Sequence, residues 1–167
     1  MTRESMEFDV VVVGAGPAGL SASIRLMQLS NENNLDLSVC LLEKGSEIGA
    51  HIISGAVIET RSLDELLPDW DEGNNFLQTP VIDDKMLFLT GENTSISVPK
   101  FLMPKTMMNH GNRIISLGSM CQYLGREAEN LGVNVFPGFA AVDLIEEEGK
   151  IVGVITGDMG LDKEGEP

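Results

Sequence analysis

The feature that most constrains this chain is the order of residues 8–43. Phe8-Asp9-Val10-Val11-Val12-Val13 is a continuous apolar, β-branched run, the pattern of a strand buried on both faces in a parallel sheet. Gly14-Ala15-Gly16-Pro17-Ala18-Gly19 follows at once. Pro17 sits where a helix can start without losing a hydrogen bond. Ala18, Ala22, Leu26 and Leu29 then recur at helical spacing, and the polar cluster Ser30–Asn34 ends the helix. Leu37–Leu42 is a second buried strand, and it ends at Glu43, 24 residues after Gly19. Strand, GxGxxG, helix, strand and acid in this order predict a dinucleotide-binding βαβ unit. The three glycines do different things. Gly14 makes the tight turn, Gly16 lets backbone approach a pyrophosphate, and Gly19 lets helix and strand pack closely. The helix N-terminus offers free N–H groups and a positive dipole end. Glu43 is placed to accept hydrogen bonds from ribose hydroxyls.

NAD and FAD both use this unit. After Glu43 the chain runs into the small-residue loop Gly45–Gly55 rather than another helix, which suits a long cofactor laid across it and favours FAD. The flavin would then need backbone contacts near Ser54 and Gly55.

Further along, Ser62–Leu67 is expected as a short helix capped by Ser62, with Glu65 completing a capping box and Pro68 stopping it. Residues 69–79 are a polar, acidic loop. Val81–Leu89 and Ser95–Val98 are expected as strands joined by a turn around Gly91. Ser116 would cap a helix with the stripe Leu117, Met120, Cys121, Leu124, Ala128 and Leu131, closed by Gly132. Val133–Phe136 is a strand, and Phe139–Ile145 with Ile151–Thr156 is a hairpin across EEEGK. The chain of 167 residues ends in a polar tail.

Composition narrows the function classes. The net charge of −15 argues against nucleic acid, which needs clustered Lys and Arg. The charge is uneven: Asn93–Arg126 holds no acid but has Lys100, Lys105, Arg113 and Arg126, leaving −19 for the rest. Within that block, Phe101-Leu102-Met103-Pro104 is an apolar tip between two lysines. Two readings fit it: contact with a membrane or apolar ligand, with the lysine heads at lipid headgroups, or packing on another part of the protein. The first nine residues have no apolar core of a signal peptide, and no 18-residue apolar run spans a membrane. Cys40 and Cys121 form no CxxC pair and are expected as core thiols in a reducing compartment. His51 and His110 lack metal-ligand spacing; His51 is expected as a structural histidine and His110 as a turn residue.

The segments FDVVVVGAGPAGLSASIRL, VCLLEKGSEIGAHIISGAV, LPDW, TPV, NHGN, NVFPGFAAVDL and GVITGDMG together resemble the electron transfer flavoprotein–ubiquinone oxidoreductase family over essentially the whole chain. The resemblance implies a Rossmann-like α/β FAD-binding fold of the glutathione-reductase type, here incomplete, with an inserted β-hairpin. Residues 1–80 and 111–167 would form the FAD-binding domain, and 81–110 a hairpin of the quinone- and membrane-facing domain. The implied activity passes electrons from electron transfer flavoprotein to ubiquinone at a membrane face. It uses FAD and a 4Fe-4S cluster whose ligands this chain lacks, and no catalytic acid or base. Carried over by motif, Gly14, Ala15, Gly16, Pro17, Ala18 and Gly19 form the pyrophosphate turn, Glu43 and Lys44 the ribose end, His51, Ser54 and Gly55 the loop toward the flavin, and Val142 the adenine contact. Phe101, Leu102 and Met103 would face quinone or membrane. The chain resembles an N-terminal fragment, inactive alone, of a protein held peripherally on the cytoplasmic face of a bacterial inner membrane. Two rival readings stand beside this one: a geranylgeranyl-reductase-like flavoprotein, and a non-catalytic truncated module whose open sheet edge binds another chain.

Overall fold

The computed structural model describes residues 4–70 and 79–158. The chain divides into two compact units, residues 1–53 with 118–167, and residues 54–117 between them.

The first unit is built on three parallel strands in the order β1-β2-β8: β1 (Val10–Val13), β2 (Val39–Glu43) and β8 (Asn134–Pro137). The middle strand β2 carries the core, with Val39, Cys40, Leu41 and Leu42 all buried. β1 is covered on one face only, because Val11 and Val13 are exposed, Val13 by 58%. The apolar run therefore marks a strand, but not one buried on both faces.

Helix α1 (Pro17–Glu32) connects β1 to β2. The spacing of Ala18, Ala22, Leu26 and Leu29 correctly marks a helix, yet its buried stripe is Leu20, Ser23, Ile24, Met27 and Ser30, while Leu29 is exposed. Two serines hide the stripe from a hydrophobic pattern search. Ser30 is tolerated there because its hydroxyl donates to Leu35 O (2.8 Å) and accepts from Leu37 N (3.3 Å), so the buried oxygen is satisfied.

Helix α3 (Leu117–Asn130) leads into β8. Its buried face includes Met120, Cys121, Leu124 and Ala128 of the expected stripe, joined by Tyr123 and Gly125, while Leu117 and Leu131, the latter just past the helix end, are only half-buried. Ser116, the residue expected to cap it, immediately precedes it as the last residue of strand β7 (Arg113–Ser116). Gly132, at φ +99°, reverses the chain, and Val133 N–H donates to Ala128 O (3.0 Å), a left-handed helix terminus that favours glycine. β9 (Ala141–Glu147) and β10 (Lys150–Thr156) form an antiparallel hairpin. Glu148 and Gly149 at its tip both have positive φ, matching a two-residue turn with the twist of the strands. The edge-to-face rings of Phe136 and Phe139 (5.8 Å) and of Phe136 and Phe8 (6.2 Å) form a small cluster beside β8.

The second unit holds β3 (Gly55–Ile58), α2 (Arg61–Leu66), β4 (Thr79–Pro80), β5 (Leu87–Gly91), β6 (Thr94–Ser97) and β7 (Arg113–Ser116). β7 lies between β3 and β4, both antiparallel to it; neither β3 nor β7 is visible in the sequence pattern. The long strand expected from Val81 breaks up: only Thr79–Pro80 and Leu87–Gly91 pair. α2 starts one residue before Ser62. Thr60 precedes it with helical φ and ψ, and its hydroxyl turns to Asp64 Oδ2 (3.2 Å) instead of capping, so no capping box forms. Of the expected loop 69–79, residues 71–78 lie outside the described residues; Trp70 is buried and its Nε1 donates to Asp64 Oδ1 (2.7 Å). The β5–β6 hairpin is exposed throughout, with Phe88, Leu89 and Ile96 bare.

Candidate nucleotide-binding site

The glycine turn is shaped by backbone requirements. Gly14 has φ +99° and donates its N–H to Leu42 O at 2.7 Å, a conformation L-residues rarely adopt. Gly16 precedes α1 in an extended conformation, φ −79° and ψ 178°, with no side-chain cap, and Pro17 opens the helix. The N–H groups of Ala18 and Gly19 therefore have no acceptor within the helix. They stand at the positive end of a 16-residue helix with no acid in its first turn. A Cβ added at Gly14 or Gly16 would meet nothing within 4 Å, so open space lies over the turn. At Gly19 a Cβ would overlap the Gly14 carbonyl oxygen and lie 3.3 Å from Val12 Cγ1. The three glycines thus serve curvature, clearance and close packing. Clearance over Gly16, a dipole end and unpaired N–H groups fit a pyrophosphate.

Glu43 ends β2 beside this turn. Its Oε2 accepts the Ala15 N–H (2.9 Å) and its Oε1 the Gly45 N–H (2.7 Å). Ala15, only 1% exposed, therefore gives its N–H to Glu43 and presents none to a ligand. Lys44 is exposed.

The loop after Glu43 is held by features the motif does not contain. Gly45 O accepts Gly138 N–H at 2.7 Å. At Gly49, φ +85°, a Cβ would come 2.9 Å from Gly118 O, and Ile48 occupies the space a side chain at Gly125 would need. Two glycines seven residues apart inside α3 are the sequence signal for this docking; both cost helix propensity, and close packing against the loop accounts for them. His51, expected as a structural histidine, is exposed on this loop, and Val142 is exposed on β9.

Ser54 and Gly55 belong to the second unit. Gly55 has its own packing reason, since a Cβ there would lie 2.9 Å from Ile115 O across the β3–β7 pair. In the same unit Phe101 (84% exposed) and Leu102 (64%) are bare, whereas Met103 (8%), expected beside them, turns inward. Nor is the acid-free block acid-free in space. Lys100 Nζ lies 2.8 Å from Asp83 Oδ1 and 3.9 Å from Asp84 Oδ1. The Lys100 hydrogen bond and charge hold the Asp83 carboxyl below its ordinary value, and Asp83 raises Lys100 in return. His110 sits in the turn before β7, its Nδ1 3.0 Å from Ile82 O.

Both cysteines are buried free thiols. Burial pushes Cys40 up, and burial with the Glu43 charge pushes Cys121 up to about 11.

Residues 12–68 match the family model of the NAD(P)-binding Rossmann-like domain. The electron transfer flavoprotein-ubiquinone oxidoreductase of Pseudomonas aeruginosa is 56% identical over the whole chain, which covers 30% of that protein. The mitochondrial protein of the same name from Bos taurus is 49% identical, with 27% of its length covered. Over its whole length the chain is thus similar to a part of proteins named electron transfer flavoprotein-ubiquinone oxidoreductase. It spans about 30% of the length of the curated relatives it matches. Among solved structures, a geranylgeranyl bacteriochlorophyll reductase-like protein from Thermoplasma acidophilum aligns with TM-score 0.64 at 23% identity, covering 89% of this chain and 34% of that one. A myxobacterial FAD-dependent halogenase aligns with TM-score 0.60 at 22% identity, covering 95% and 34%. These two likenesses establish the Rossmann-like α/β fold.

Proposed function

We propose that this chain forms the ADP-binding part of an FAD-dependent oxidoreductase that passes electrons from electron transfer flavoprotein to ubiquinone. The observation that carries the reading is 56% identity along the entire chain to a protein of that name, on a fold whose glycine turn is open and donor-rich. The family model is described by NAD(P), but FAD is the better fit. The chain after Glu43 runs on as a loop docked on α3 through Gly49 and Ile48 rather than as another helix.

In this reading the N–H groups of Gly16, Ala18 and Gly19 bind the pyrophosphate, Gly14 and Pro17 fix the turn, and Glu43 with Lys44 holds the ribose end. His51 lies along the path to the flavin, and Val142 meets the adenine. FAD, when bound, supplies the electron-accepting chemistry; the protein positions it and sets its electrostatic surroundings. No side chain of this chain is assigned a proton-transfer step. The 4Fe-4S cluster is assigned to the part of the longer relatives that this chain does not span.

Phe101 and Leu102 are proposed to meet the membrane surface or the quinone, with residues 81–110 as part of the quinone-facing domain. Their exposure, and that of Phe88, Leu89 and Ile96, supports this. The attachment is peripheral, on the cytoplasmic face of a bacterial inner membrane; no helix among the described residues is long and apolar enough to cross one.

The test is a purified longer protein carrying this chain. Bound flavin, and ubiquinone reduction driven by reduced electron transfer flavoprotein, are expected. Reduction of prenyl-lipid double bonds without quinone turnover would overturn the assignment in favour of a geranylgeranyl-reductase-like enzyme.

A further inference from the structure

We infer that Glu43 is a positioning residue that braces the glycine turn for its nucleotide, independently of any bond it makes to the sugar. This rests on the reading of the turn as an ADP site, and it adds to that reading a role for the acid that the motif alone does not assign.

Both oxygens of the Glu43 carboxylate are engaged. Oε2 accepts the Ala15 N–H at 2.9 Å and Oε1 the Gly45 N–H at 2.7 Å. Ala15 is buried, so without Glu43 its N–H would be a buried donor with no acceptor, a costly state. Two consecutive N–H groups of the turn are thus held by β2: Gly14 by the Leu42 carbonyl (2.7 Å) and Ala15 by the Glu43 side chain. The proposed phosphate donors begin at the very next residue, Gly16. Their aim depends on where Ala15 is pinned.

The other end of the brace is itself anchored. Gly45 passes the connection on through its carbonyl to Gly138 N–H (2.7 Å), and the loop beyond it is seated on α3 at Gly49–Gly118 and Ile48–Gly125. Glu43 therefore ties the turn to a loop fixed on a helix and to the end of β8. A carboxylate has about four lone-pair sites; two are used here, and two remain for ribose hydroxyls. Bracing and sugar binding do not compete. A glutamine cannot replace it: its single oxygen accepts one of the two N–H groups, and its NH2 then faces the other, donor against donor.

The test is a comparison of ADP with 2′,3′-dideoxy-ADP, by calorimetric titration into the wild-type chain and the Glu43→Gln, Glu43→Ala and Glu43→Asp variants. Aspartate keeps the charge but is one methylene too short to reach both N–H groups. If Glu43 acted only through the ribose hydroxyls, its loss would leave dideoxy-ADP binding unchanged. The brace predicts that all three variants weaken dideoxy-ADP about tenfold, or about 1.4 kcal/mol, and ADP by at least as much. Variants that bind dideoxy-ADP as tightly as wild type overturn it. Amide exchange of the nucleotide-free chain gives a second reading. In Glu43→Asp the Ala15 amide should exchange at least tenfold faster while Leu20 and Ile24 in α1 stay protected; an unchanged Ala15 rate also overturns the brace. A wild-type chain that binds neither nucleotide overturns the ADP-site reading itself, an outcome separate from the exchange result, which bears on the brace alone.

Discussion

Replacing Gly19 and Gly16 by alanine should produce opposite failures, although the residues are three apart in one motif. At position 19 the new methyl would fall on the Gly14 carbonyl oxygen, 3.2 Å from Gly14 C and 3.3 Å from Val12 Cγ1. Neither obstacle can step aside cheaply, because Gly14 is fixed at φ +99° by its hydrogen bond to Leu42. Overpacking costs about 1–3 kcal/mol, and a clash with backbone belongs at the top of that range. Alanine in a helix returns about 1 kcal/mol relative to glycine. The net loss is about 2 kcal/mol, which lowers Tm by roughly 4–8 °C for a chain of this size. At position 16 a methyl meets nothing within 4 Å, and φ is −79°. Gly16→Ala should therefore leave Tm within about 2 °C and weaken ADP at least tenfold, since the methyl occupies the clearance the phosphates need. Thermal unfolding followed by circular dichroism, with nucleotide titration on the same samples, measures both. A Gly19→Ala chain as stable as wild type, or more stable, would refute the close-packing argument; full ADP affinity in Gly16→Ala would refute the clearance argument.

Other outcomes follow from the same geometry. Leu41→Ala, at a fully buried position of the central strand, should cost about 2–5 kcal/mol in denaturant unfolding. Phe101→Ser with Leu102→Ser should change stability by less than about 0.5 kcal/mol, as expected of exposed positions, and abolish sedimentation with anionic lipid vesicles; unaltered sedimentation would exclude that tip from membrane contact. The thiols should resist alkylation at pH 8 at a rate set by unfolding. Because the folded-state value of Cys121 is raised from 9.0 to about 11, its contribution to stability is intact below pH 9 and declines as the pH rises toward 11. Stability that grew between pH 9 and 11 would contradict the burial of that thiol.

The βαβ unit was legible because its signals are local. An apolar run, glycines at fixed offsets and an acid at the end of the second strand are all set by backbone geometry within residues 8–43. Two local rules failed there for a physical reason. The buried stripe of α1 contains Ser23 and Ser30, which hydrophobic periodicity passes over, and Val13 lies bare on a strand whose composition reads as fully buried. The second unit was less legible. β3 and β7 are short strands whose pairing spans residues 55–116, and nothing near Gly55 or Arg113 announces a partner so far along the chain. The acid-free stretch 93–126 misled in the same way, since Asp83 reaches Lys100 from outside it. Of the candidate site, the turn and Glu43 came together as the spacing implied. The ties of Glu43 to Ala15 and Gly45, and the seating of the loop on Gly118 and Gly125, were not legible, because they rest on atoms and long-range contacts that the motif does not specify.

Whether the glycine turn at the start of α1 holds the ADP half of the cofactor is decided by titrating ADP into the isotopically labelled 167-residue chain and following the backbone amides by nuclear magnetic resonance. Saturable shifts concentrated on Gly16, Ala18 and Gly19 are expected, with Glu43 and Lys44 following, and at least tenfold more ADP is needed to saturate them in Gly16→Ala. Shifts that spare the turn and gather elsewhere, for example in the shallow cavity lined by Glu47, Gln122, Arg126 and Glu129, would contradict that placement of the nucleotide.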